Sequence, residues 1–289
     1  MAISYDTYQK LLRHEFPDIE QTRTKRDSML YALSAGMGFD PVDARQLRFV
    51  YEKDLVALPT MIVVICMPYG WIGKSGIGFG TKSVQAEQSI VLHRPVPVAG
   101  VFVGKTRIAS VVDKGAGKGA LVTVERTIID QSTDELVATM TATSYCRGDG
   151  GFGGPDGPLK TPHPVPDCAP EFACELPTLP QAALMYRLHG DPTPLHADPE
   201  FARRAGFSRP IMHGLCTMGV ACHALLRTLC DYAPERLKTI ECRFNAPVYP
   251  GETLRTEMWR NAGVVSFRTV VPARGNLVVI NHGRAELSG

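Results

Sequence analysis

No excess of charge of either sign marks this chain: 31 lysines and arginines stand against 29 acidic residues, a net of only +2, and the basic residues are scattered. That balance removes the electrostatic case for a nucleic-acid partner or an anionic membrane surface. No apolar run reaches the length that crosses a bilayer, and the opening residues MAISYDTYQKLLRHEFPD lack the apolar core of a secretory signal. No Cys-x-x-Cys pair occurs among the eight cysteines at 66, 146, 168, 174, 216, 222, 230 and 242. A zinc site of that kind is therefore excluded, and because several of the cysteines lie inside apolar runs they read as free buried thiols in a reducing cytoplasm. A phosphate loop is missing too. GWIGKSGIGFG is rich in glycine, but Pro68 stands where a P-loop needs its first glycine, and no G-x-G-x-x-G can be read there.

What is present is a pattern stated twice. Residues 23–36 read as a helix with Thr24 placed to cap it, and strands rich in Val, Ile and Thr follow at roughly 84–94, 102–113, 119–130 and 135–146. Residues 147–170, RGDGGFGGPDGPLKTPHPVPDCAP, are too dense in glycine and proline for regular structure. Beyond them the order returns: a helix, then strands at roughly 238–246, 253–260, 263–272 and 276–287, with Pro247–Gly251 echoing Pro95–Gly100. Helix against antiparallel sheet, twice over, is an α+β arrangement. The boundaries it suggests are a first unit over 1–150, a linker over 151–170 and a second unit over 171–289.

The stretch YRLHGDPTPLHADPEFARRAGFSRPIMHGLCTMG, residues 186–219, concentrates groups able to do chemistry. Asp191 and His196 lie five residues apart, which on a helix would point them to different faces. Pro192 and Pro194 exclude a helix in any case, so DPTPLH is a stiff loop that can aim a carboxylate and an imidazole at one place. Next comes LCTMGVACHALLRTLC, which reads as a buried helix. Its first free N–H groups, near Ile211 to Leu215, suit an oxygen on which negative charge develops. His213, at that helix start, is expected to be neutral and structural, since a charged imidazole is disfavoured there. Asp198 reads as the cap of a short helix over 199–205. Arg203, Arg204 and Arg209 flank the stretch, where a solvated basic face and a phosphate partner are both open.

G-D-x-x-P-L-H, then Phe-Ala, Gly-Phe and Pro-Ile-x-His-Gly, resembles the signature of the MaoC-like, R-specific enoyl-CoA hydratases. TKRDSMLYALSAG, RFVYEKDLVALPT, EQSIVLHRPVPVAG, VVDKGAGKGA and RGDGGFGG are similar to segments of the hydratase 2 branch, so the resemblance spans nearly the whole chain. It implies two hot-dog units side by side and reversible addition of water to a trans-2-enoyl-CoA, giving the (R)-3-hydroxyacyl-CoA. Catalysis would fall to Asp191, His196 and the Gly214 N–H, with Gly190, Thr193 and His213 on the substrate side. Neither metal nor cofactor is implied, coenzyme A being part of the substrate. Two departures stand out: Thr193 replaces the family's usual Asn, and His189 replaces a residue that is often small.

A hot-dog acyl-CoA thioesterase would need a carboxylate in the helix of the site, and 214–230 holds none before Asp231. A non-catalytic acyl-CoA binding protein is the other rival, made credible by Thr193. Since two units already lie in one chain, a homodimer is allowed but not required. In the first half Pro59 leads into TMIVVICMP, where β-branched residues and Pro68 permit only a short helix. The first sheet is thus expected to be left partly bare, to be covered by the glycine-rich loop 69–83 or by a medium, long or branched acyl chain.

Overall fold

The computed structural model describes residues 3–80 and 83–288. Its strands are β1 (Ile19–Arg23), β2 (Ser83–Leu92), β3 (Gly100–Asp113), β4 (Ala120–Asp130), β5 (Glu135–Cys146), β6 (Phe172–Pro177), β7 (Leu237–Phe244), β8 (Thr253–Asn261), β9 (Val264–Val271) and β10 (Leu277–Leu287). All pair antiparallel in one sheet of order β1-β3-β4-β5-β2-β7-β10-β9-β8-β6. Exchanging each strand for the one five places along makes that order read the same backwards. The sequence repeat is therefore a structural repeat: two five-stranded units joined edge to edge by β2 and β7, with Ile90 opposite Ile240 and Glu87 opposite Arg243, whose side chains pair at 2.6 Å.

Eight strands lie where Val, Ile and Thr density places them. The two not foreseen, β1 (IEQTR) and β6 (FACELP), are short edge strands. An edge strand has half the apolar requirement of a central one, so its sequence carries little period-two signal.

Helix Lys25–Ser34 begins as expected. Thr24 accepts from the Asp27 N–H and donates its own N–H to the Asp27 carboxylate at 2.7 Å, so two otherwise orphaned donors are satisfied together. The central helix Gly214–Leu229 is apolar around most of its circumference because both sides are covered, one by the second unit's sheet and the other by the Pro59–Val64 turn and the end of the Lys25–Ser34 helix. Gly219 permits that second contact, since a Cβ there would stand 3.2 Å from Ala35 Cβ.

In the first unit the equivalent element is only a 3-10 turn, Pro59–Val64, with all six residues buried. Beyond it the loop does fold down. Phe79 is buried with Ile3, Leu11, Val122 and Phe152 in a second, smaller core, and Trp71, Ile72 and Ile77 pack against that core. Residues 81 and 82 of the loop lie outside the described residues. Residues 147–170 form neither strand nor helix, yet their glycine-rich start is packed in place. Asp113 accepts from the N–H groups of Gly115, Gly151 and Gly153. Burial would raise its pKa, but those donors outweigh that and hold it below the usual carboxylate range.

Candidate active site

The loop that carries Asp191 and His196 is built by local chemistry. Gly190 adopts φ +115°, which closes the preceding turn at little cost, and a Cβ there would stand 3.1 Å from the Tyr69 ring. Asp191 then caps its own turn: Oδ1 accepts from the Thr193 N–H at 3.0 Å and from the Thr193 hydroxyl at 2.5 Å. Pro194 opens a 3-10 turn that ends at His196, and Asp198, as expected, caps the helix Pro199–Arg204 through the N–H groups of Glu200 and Phe201. Thr193 lines the cavity, as expected of a residue on the substrate side, and its hydroxyl donates to Asp191.

His196 is fixed at its other end. Its Nδ1 lies 2.9 Å from the Ile211 carbonyl, an acceptor only, so Nδ1 carries the proton and Nε2 keeps the lone pair. Burial lowers the pKa of His196 and keeps the ring neutral, against the Ile211 bond and the Asp191 charge that favour the imidazolium. His213 stacks on it, ring centroids 3.6 Å apart, and burial, with His196 as the next cause, pushes the His213 pKa down to about 2. The expectation of a neutral His213 agrees with this. Neither of its ring nitrogens has a hydrogen-bond partner, and Nε2 is 3.7 Å from Asp191 Oδ2.

Asp191, His196 and His213 offer ligand atoms within 4.8 Å of one another, close enough for a shared cation to be considered. The two imidazole planes, however, lie 25° apart and face to face, so their in-plane lone pairs run side by side instead of meeting at one bonding point. That disposition suits a water and a proton better than a metal.

These groups line one cavity of about 420 Å³ between the two units. Gly214 opens the central helix on its wall, and His213 at the cap position gives that helix no side-chain acceptor. The first N–H groups of the helix are thus available to an incoming oxygen. A Cβ at Gly214 would stand 3.2 Å from the Phe244 ring, so a larger residue there would need that ring to give by a few tenths of an ångström.

Sequence reasoning did not single out two tyrosines. Tyr69 and Tyr186 both line the cavity, and both hydroxyls are buried without a partner. Burial, with the Asp191 charge adding to it, raises the pKa of Tyr69, and burial raises that of Tyr186 further, so both are neutral donors. Tyr69 comes from the first unit, and nothing in its local sequence connects it with a loop more than a hundred residues away. His189 is not on the cavity wall. It is buried against Tyr31 and Tyr186, with its backbone oxygen accepting from Arg23. Arg204 pairs with Glu200, Arg203 with the Pro199 carbonyl, and Arg209 lies over Tyr249. Among the described residues the cation on the cavity wall is instead Arg147.

Comparison with known proteins agrees on the whole chain. Residues 22–148 match the family model described as MFE-2 hydratase 2 N-terminal domain, and residues 163–281 match that of the MaoC like domain. The chain is 37% identical to enoyl-CoA hydratase 2, peroxisomal, of Arabidopsis thaliana over 94% of its length and 93% of the relative's. It is 39% identical to 3-hydroxyacyl-thioester dehydratase Y of Mycobacterium tuberculosis, covering 91% and 92%. A solved MaoC-like dehydratase from Phytophthora capsici superposes with a TM-score of 0.82 at 32% identity, over 97% of this chain and 98% of that one. The architecture is accordingly the double hot-dog fold.

Proposed function

The chain belongs to the MaoC-like dehydratases of hydratase 2 type, and we propose on that premise that Asp191 and His196 share the water that adds across the double bond of a trans-2-enoyl-CoA. The reaction is that of a hydro-lyase, hydration of an enoyl-CoA or the reverse dehydration. One observation supports the assignment of residues above the others. His196 Nδ1 is committed to Ile211 and Asp191 Oδ1 to Thr193, which leaves Nε2 and Oδ2 free on one cavity wall. A water held between them loses a proton to the neutral imidazole as its oxygen attacks C3. Charge then collects on the thioester oxygen, where the Gly214 N–H at the positive end of the central helix receives it. The proton returns to C2 through the same pair, so the net change is one added water in the (R) configuration.

In this reading no metal or redox cofactor takes part, and the partner is an acyl-CoA thioester. Two units in one chain leave homodimer formation open. Among the described residues no helix is long and apolar enough to cross a membrane. The eight cysteines are unpaired, which suits a reducing compartment, the cytoplasm in our reading, although the Arabidopsis relative is named peroxisomal.

The test is incubation with crotonyl-CoA. Hydration bleaches the enoyl absorbance without releasing free coenzyme A. Release of the thiol would point to a thioesterase, and an unchanged spectrum to a binding protein.

Thr193 gives a finer test. Thr193→Val keeps the backbone N–H to Asp191 but removes the hydroxyl donor, and a hydrogen bond to a charged group contributes about 1.5–3 kcal/mol. We expect kcat to fall about tenfold with KM nearly unchanged, and Thr193→Ser to recover most of the loss. Equal kcat for the Val and wild-type proteins would mean that the hydroxyl does not hold Asp191 in its working position.

A further inference from the structure

A second cavity lies behind the catalytic one. Met67 and Gln85 line both and so form the partition between them. It encloses about 100 Å³, room for roughly three waters or a similar number of chain carbons. It sits over the inward face of the first unit, past the point where the Pro59–Val64 turn stops covering the sheet.

That face is not simply apolar. Along β4 the inward positions are occupied by Val122, Val124, Arg126 and Ile128, so Arg126 takes a place that the strand's period would give to an apolar side chain. Directly opposite it stand Thr106 on β3 and Met140 on β5, and all three line the cavity. Arg126 is 8% exposed. Its guanidinium donates to the carbonyls of Val63 at 2.7 Å and Cys66 at 3.5 Å, both neutral. Its Nε has no partner, and neither has Thr106 Oγ1. The titratable groups that face it, Tyr69, Cys66 and Tyr186, are all held neutral by burial, no carboxylate pairs with it among the described residues, and burial brings its own pKa down to about 10. The nearby glutamines are satisfied: Gln85 donates to Gln88, and Gln88 to the Ser89 carbonyl.

A buried cation without a counter-charge is costly, and so is a buried donor without an acceptor. A hydrocarbon end filling this cavity would expel the water able to serve both groups and leave them unpaired. An oxygen acceptor would serve them directly, and a carboxylate would neutralise the guanidinium as well.

We propose that this cavity receives the far end of the acyl chain and selects enoyl-CoA thioesters that carry an oxygen acceptor there, a carboxylate above all, with Arg126 and Thr106 as the groups that bind it. The inference rests on the hydration reading and names its substrate class.

Its test compares matched pairs of trans-2-enoyl-CoAs, one ending in a methyl group and one in a carboxylate, over a series of chain lengths. For the wild-type enzyme, kcat/KM for the carboxylate member should exceed that of its methyl partner by about tenfold or more at the length that reaches Arg126, with no such preference for the shortest chains. Arg126→Met should abolish or reverse that preference, and Thr106→Val should reduce it several-fold. A purely structural role for either residue would lower both members of a pair alike. If Arg126→Met does not fold because the Val63 and Cys66 carbonyls lose their donor, the wild-type comparison and Thr106→Val still decide. Hydration of crotonyl-CoA together with a preference for methyl ends at every length overturns the proposal alone. Failure to hydrate crotonyl-CoA overturns the reaction on which it rests.

Discussion

Asp191→Asn and His196→Gln are each expected to lower kcat by on the order of a hundredfold or more while KM stays within a few-fold. The structure makes both substitutions clean. An asparagine oxygen can still accept from the Thr193 N–H and hydroxyl, so the turn survives, but an amide nitrogen then faces the water where a carboxylate oxygen had been. A glutamine at 196 can still donate to the Ile211 carbonyl, yet it offers no nitrogen lone pair to take a proton. The role proposed for both lies in the chemical step, which is why KM should move little. With one water shared between them, as proposed, their losses should not multiply. Steady-state kinetics on the two single mutants and the double mutant measure this, and a double mutant slower by the product of the single losses would separate the residues into independent roles.

Acid should unfold this protein well before its carboxylates titrate. His189, His213 and His223 are almost fully enclosed, and burial lowers their pKa values to about 4, about 2 and about 4. His223 sits in the middle of the central helix with Nδ1 toward the Ala35 carbonyl and Nε2 toward the Tyr232 hydroxyl, so no carboxylate is bonded to its ring, and burial outweighs the more distant Asp43 charge. In the unfolded chain each would titrate near 6.5. The unfolded state therefore binds more protons than the folded state between those limits, and stability is full above about pH 6.5 and falls as the pH drops below it. By pH 5 the three contribute a loss of about 2 kcal/mol each, on the order of 6 kcal/mol together, against a total that for a domain is about 5–15 kcal/mol. His196, lowered in the same direction, adds to the loss. Asp27, Asp43, Asp113 and Asp198, whose pKa values are lowered, withdraw their share only below about pH 4, in a separate window. Urea unfolding between pH 7.5 and 5 reads the effect as a falling midpoint. A midpoint independent of pH over that range would mean that the imidazoles are not shielded as the fold implies, and His223→Leu should flatten the dependence by about one proton.

The amino-acid sequence alone carried the architecture and singled out Asp191 and His196 as the proposed acid/base pair. Period-two runs of Val, Ile and Thr fixed eight strands, Thr24 and Asp198 announced helix starts, and Pro192 and Pro194 made the loop of Asp191 and His196 stiff. These are local signals, each written within about a dozen residues. Even Arg126 left a trace, since in ALVTVERTIID it occupies an inward position of the alternation, but only the fold shows that a cavity lies above it. Tertiary structure decided whatever depends on pieces distant in the chain. It brought Tyr69 of the first unit against Gly190 of the second, and set the Phe244 ring close against Gly214. It also stacked His213 on His196, which burial then keeps uncharged. Sequence period specifies which face of an element is buried. Which two buried faces meet, and which polar atoms are left between them without partners, follows from packing two units across the β2–β7 seam, and no local pattern encodes that.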